Sequence, residues 1–248
     1  MLAIIGGSGF ASMPGLEAVR REVVRTPYGE PSGALTFGSI DGRGVVFLAR
    51  HGYGHTIPPH QINYRANIWA LHARGAKNVV AIAAVGGIRD GLEPGAVIIP
   101  DQIIDYTHRR AATFFDLADR GVQHIDFTLP YSPALRAACL KAAQASGEAV
   151  IDGGVYAATQ GPRLETAAEV NRLARDGADV VGMTGMPEAA LAREIGFAYA
   201  TIAIVVNHAA GRGASRAGIA MDGMAAVLEK AMGRAQRIVE QMARLHGG

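Results

Sequence analysis

The stretch Asn63–Ala84, NYRANIWALHARGAKNVVAIAA, decides the fold class. Residues Asn63–Arg74 place Ala, Leu and Arg at the spacing of an amphipathic helix, and Val79–Ala84 is an apolar run free of charge, as in a strand buried on both faces. A similar run, Val45–Ala49, comes before them, so strand, helix and strand follow one another. Working outward, strand-like runs recur at Leu2–Ile5, Ala96–Ile99, Val155–Thr159, Asp179–Gly182 and Tyr199–Val206. Helical patterns fall at Pro133–Ser146, Glu165–Asp176, Pro187–Ile195 and Asp222–Leu245, with Pro133 suited to a helix start. The alternation predicts an α/β fold in which helices flank a central mixed, largely parallel β-sheet. The segment from Arg21–Thr26 through Ala49 reads instead as consecutive antiparallel strands. No Pro- or Ser-rich linker divides the chain, so residues 1–248 are expected to form a single domain. Tyr106–Pro130 and His208–Gly218 have no period and read as long loops of the kind that carry binding sites.

Composition narrows the function. Hydrophobic residues are 49% and charged residues 19% of the 248, enough for a sizeable core. No run reaches the roughly eighteen apolar residues of a membrane span, so no membrane association is expected. Lys+Arg number 24 against 22 Asp+Glu, and the basic residues are scattered, which argues against nucleic acid but leaves room for a small anion. Cys139 is the single cysteine, which excludes an intrachain disulfide and fits a reducing compartment. The N-terminus opens on a strand-like run without a secretory pattern, and a cytoplasmic location is expected.

Several motifs sit where strands end. Gly6-Gly7-Ser8-Gly9 is a strand running into a turn whose backbone N–H groups and Ser8 hydroxyl suit a phosphate; a plain tight turn is the alternative. Arg50-His51-Gly52 follows Val45–Ala49, so a guanidinium and an imidazole stand at a strand end and suit an oxyanion, unless Arg50 is a structural ion-pair partner. His51, His55 and His60 lack a neighbouring Asp, Glu or Cys, and Pro58-Pro59 prevents a helix from aligning them, so no metal is expected. Glu165, in Gly161-Pro162-Arg163-Leu164-Glu165-Thr166, and Asn207, in Val205-Val206-Asn207, each follow a strand. A carboxylate acceptor beside an amide can read a heterocycle, or the two can be a helix-terminal acid and a turn former. Met183-Thr184-Gly185-Met186-Pro187-Glu188 is another strand-end turn with a hydroxyl.

Taken in order, these motifs together with Asn63-Tyr64-Arg65-Ala66-Asn67-Ile68 resemble the trimeric purine nucleoside phosphorylase and methylthioadenosine phosphorylase family along nearly the whole chain. The resemblance implies a homotrimer that uses inorganic phosphate to cleave a purine nucleoside, with no metal or organic cofactor. It implies that Ser8, Arg50, His51 and Thr184 bind phosphate, with Met183 and Ala84 against the sugar and Leu164 and Ala209 also among the residues that bind the substrate. Arg50, His51 and Asn207 then carry the catalysis. Relatives commonly place a hydroxyl or amide where Ala83 stands, so one phosphate contact is absent or replaced here. Adenine-specific relatives place Asp where Asn207 and Ala209 stand. Glu165 and Asn207 instead match the residues that contact a 6-oxopurine, because Glu accepts the N1 proton that adenine lacks. Ile219, Met221 and Met224 make the space around the sugar 5′ end apolar, suited to a methylthio group rather than a hydroxyl. His124 resembles a histidine that reaches the neighbouring subunit's 5′ pocket.

Overall fold

The computed structural model describes residues 1–10, 12–13, 15–116 and 121–245, the side chains of 221–225 excepted. In chain order the elements are β1 (Leu2–Gly6), β2 (Glu17–Glu22), β3 (Leu35–Ile40), β4 (Arg43–Ala49), α1 (Tyr64–Ala73), β5 (Asn78–Gly87), β6 (Val97–Ile99) and β7 (Gln102–Asp105). There follow α2 (Pro133–Ala145), β8 (Ile151–Asp152), β9 (Val155–Ala158), α3 (Ala167–Arg175), β10 (Val180–Gly182), α4 (Gly185–Glu194), β11 (Ala198–His208) and α5 (Met221–Leu245).

Strand β5 organises the sheet. The order β2-β3-β4-β1-β5-β10-β9-β7 runs through it, and β11, β6 and β8 form a second arm. Along one edge β5 pairs with β11 from Asn78 to Gly87. Along the other edge it pairs with β1 only as far as Ala81, and with antiparallel β10 only from Gly86. Among the described residues that edge therefore has no strand partner between Ile82 and Val85, and the sheet opens there. Because β10 runs against β5, its last residue lies beside this opening and leads Met183 and Thr184 into it.

Period-two alternation builds a core on each face of the sheet. Ala3, Ile5, Val46, Leu48, Val79 and Ala81 pack with α1 and α4. Leu2, Ile4, Val45, Phe47, Val80 and Ile82 pack with α2 and α5 on the other side. Helix α5 turns an apolar stripe inward through Ala231, Met232, Ala235, Ile238, Val239 and Met242, the spacing of a long amphipathic helix. Cys139 of α2 meets α5 at Met242, with Sγ and Sδ 3.3 Å apart, and is fully buried.

The α/β class, the mixed sheet and the five helices agree with the sequence reading. Three details differ. The first antiparallel strand is Glu17–Glu22, not Arg21–Thr26, because its ladder ends where Glu22 meets Leu35 at the start of β3. The short strands β7 and β8 lacked an apolar run long enough to read. Glu165 lies before α3, since Thr166 is the N-cap and forms a capping box with Glu169.

Candidate active site

The cleft opens where β5 lacks its neighbour. At its floor β1 and β4 end side by side, and the Arg50 N–H donates to Gly6 O at 2.9 Å. A Cβ at Gly7 would stand 2.5 Å from Ile82 O and 2.9 Å from the Arg50 guanidinium, so only glycine lets the turn pass. Ser8 follows, partly exposed and facing the cleft.

Arg50 is 1% exposed, and its geometry unites the two readings of its role. Its Nε and Nη2 donate to Glu188 Oε2 and Oε1 at 2.7 and 2.9 Å, and Nη1 donates to Ile82 O at 2.9 Å, closing the unpaired edge of β5. The Tyr199 hydroxyl donates to Glu188 Oε1 at 2.8 Å. Arg50 is thus a structural ion-pair partner whose remaining donors line the cleft. Burial alone opposes its charge, but Glu188 outweighs that and holds the guanidinium firmly protonated. The motif that ends in Glu188 did not disclose it as the partner of Arg50, 138 residues away in the chain.

His51 Nδ1 lies 2.8 Å from Ile57 O, and a carbonyl only accepts, so Nδ1 carries the hydrogen. Burial first, then the Arg50 charge, push the imidazole down to about 4. His51 is therefore neutral near pH 7 and presents Nε2 as an acceptor, able to meet a hydroxyl or a protonated phosphate oxygen but not to supply charge. Thr184, 7% exposed, is the N-cap of α4 but makes no capping hydrogen bond with its side chain.

Glu165 also lines the cleft, and its Oε1 accepts from Thr159 Oγ1 at 2.6 Å. The helix-cap alternative for Glu165 falls away, because Thr166 and Glu169 fill that role. Asn207 follows a β-bulge in β11 that sets it opposite Gly86. Its Nδ2 donates to His208 O at 2.6 Å, which leaves one amide hydrogen and Oδ1 for a ligand. Arg110 ties these turns together. Its Nη1 donates to Met183 O and Met186 O at 2.8 and 2.6 Å, and its Nη2 to Gln160 O at 2.8 Å. It lay in a loop where sequence gave no period.

Of the expected site residues, Ser8, Arg50, His51, Ala84, Leu164, Glu165, Met183, Thr184, Asn207 and Ala209 all line this one cleft. Ala83 lines it too, with a methyl group as its side chain. Ile219 and Leu228 add an apolar wall. The side chains of Met221 and Met224 lie outside those described. His124 is exposed and does not line the cleft of its own chain.

Residues 1–244 match the model of the Phosphorylase superfamily. A Xanthomonas campestris pv. campestris protein named probable S-methyl-5′-thioinosine phosphorylase is 55% identical over 212 residues, covering 86% of this chain and 85% of that one. The 6-oxopurine nucleoside phosphorylase of Pyrococcus furiosus is 50% identical over 215 residues, covering 85% and 80%. Methylthioadenosine phosphorylase from Schistosoma mansoni, solved in complex with adenine, superposes with a TM-score of 0.94 at 32% identity, covering 99% and 91%.

Proposed function

The chain belongs to the phosphorylase superfamily, and on that premise we propose that it transfers the pentosyl group of S-methyl-5′-thioinosine to inorganic phosphate. The products are hypoxanthine and 5-(methylthio)ribose 1-phosphate. The observation that carries the base assignment is Glu165, an acceptor that lines the same cleft as Asn207 and Arg50. Hypoxanthine offers a hydrogen at N1 to a carboxylate, whereas adenine offers a lone pair, and the mismatch costs about 1–3 kcal/mol.

The reaction joins a phosphate oxygen to C1′ as the C1′–N9 bond breaks. The electron pair leaves on the purine, which takes up the hydrogen that phosphate gives up. Arg50 and the Ser8 turn hold the phosphate below the sugar, with Thr184 beside them, and the Nε2 of neutral His51 accepts from its O–H. Asn207 donates its free amide hydrogen toward O6 and accepts at N7 as charge and hydrogen collect there. Positioning and preorganised dipoles supply most of the acceleration, without a cofactor or metal.

At the sugar 5′ end, the wall of Ile219 and Leu228 favours a thioether over a hydroxyl, and Met221 and Met224 belong to the same reading. The Pyrococcus relative supports a broader reading, cleavage of inosine and guanosine, with the same base pocket. A homotrimer in the cytosol, with His124 entering a neighbour's pocket, completes the proposal. The test compares initial rates on methylthioinosine, methylthioadenosine and inosine, with and without phosphate. Phosphate-dependent cleavage led by methylthioinosine is expected. If inosine leads, the 5′ assignment is wrong; if methylthioadenosine leads, the base assignment is wrong.

A further inference from the structure

We propose that Thr159 is a positioning residue that sets base specificity by fixing the carboxylate of Glu165, an inference that rests on the 6-oxopurine reading. Thr159 does not line the cleft itself but borders the adjoining pocket that shares Glu165, so its hydroxyl meets the cleft through the Glu165 carboxylate it holds. A hydroxyl has a single hydrogen to give. Two acceptors stand within reach of it, Glu165 Oε1 at 2.6 Å and Gly182 O at 3.3 Å, and the shorter contact to the charged partner takes it. Among the described residues this is the one hydrogen bond that the Glu165 carboxylate receives. With Oε1 held, Oε2 is presented to the base.

The need for such a tether follows from the surroundings. Glu165 stands on the turn between β9 and α3, with Arg163 two residues before it, 68% exposed and paired with Glu169. A carboxylate freed from Thr159 can swing toward that guanidinium and solvent, away from the purine. That single hydrogen bond then decides whether the acceptor is ordered before substrate arrives.

The backbone of Thr159 is secured independently of its hydroxyl. Its N–H donates to Gly182 O at 2.8 Å, and Arg110 Nη2 donates to its carbonyl at 3.3 Å. Thr159→Val, which keeps the shape and removes the donor, therefore leaves the turn in place. Thr159→Ser restores the donor with one methyl fewer.

The experiment measures kcat and KM on methylthioinosine and methylthioadenosine for the wild type, Thr159→Val and Thr159→Ser, with melting temperatures alongside. Thr159→Val is expected to lose about tenfold in kcat/KM on methylthioinosine, mainly through KM, and much less on methylthioadenosine, so the preference narrows. Thr159→Ser is expected to recover most of the wild-type ratio. An unchanged ratio in Thr159→Val, an equal loss on both substrates, or failure of serine to recover it overturns the role of Thr159. A wild type that does not favour the 6-oxopurine overturns the base reading itself, and it shows before either variant is compared.

Discussion

A buried arginine is only as useful as the group that holds it. Glu188 satisfies the Arg50 guanidinium from behind, so the donors left over are fixed in the cleft before phosphate arrives. Glu188→Gln keeps the volume but removes the opposing charge, and should lower stability by about 3 kcal/mol while raising KM for phosphate. Urea unfolding and phosphate titration of the rate check the two effects. His51 carries a different signature. Its value of about 4 in the folded chain lies below the ordinary 6.5, so the unfolded chain binds the proton more readily. The stability contributed by neutral His51 is complete above about pH 6.5 and is lost as pH falls toward about 4, roughly 3 kcal/mol in all. In His51→Gln the fall in unfolding free energy over that window should be smaller than in the wild type; parallel curves would show that His51 does not drive it. Residue types at strand ends made most of this site readable from sequence. The pairing of Glu188 with Arg50 was not, because only folding joins residues 138 apart, and the Thr159 contact to Glu165, six residues on, depends on the turn between them rather than on any residue pattern.

At the scale of elements, the site exists because β5 outruns β1. A ladder that stops at Ala81 leaves carbonyls and space for Arg50 to occupy, and the glycine turn after β1 must pass above it. Gly7→Ala puts a methyl into contact with Ile82 O and the guanidinium, so it should shift Arg50 and cut kcat/KM for phosphate at least tenfold. A normal phosphate response in that variant would show that the turn has slack. The long apolar runs and helical periods disclosed the α/β alternation because burial on both faces of a strand leaves no charge in the run. The β-bulge that aims Asn207 and the edge strand Glu17–Glu22, exposed along most of its length, left no such mark. Pairing partners fix both, and partners distant in the chain are not written into a local period. Thr166→Ala, which breaks the capping box of α3, should cost about 1 kcal/mol in unfolding free energy while leaving the base preference in place.

For the molecule as a whole, the proposed phosphate site lies in a cleft that draws on β1, β4, β5, β10 and β11 at once, so occupancy should stabilise the fold as a unit. Phosphate at about a hundred times its dissociation constant should add about 2.7 kcal/mol, seen as a rise in melting temperature that Arg50→Ala abolishes. The single thiol offers a way to watch the same cooperativity from the far side of the sheet. Cys139 is sealed between α2 and α5, and burial pushes it up to about 12, so it is inert to a disulfide reagent at neutral pH while those layers stay closed. Each labelling event is then a timestamp of the helices parting, and one colour change per chain turns the enzyme into its own clock of breathing, with or without phosphate on board.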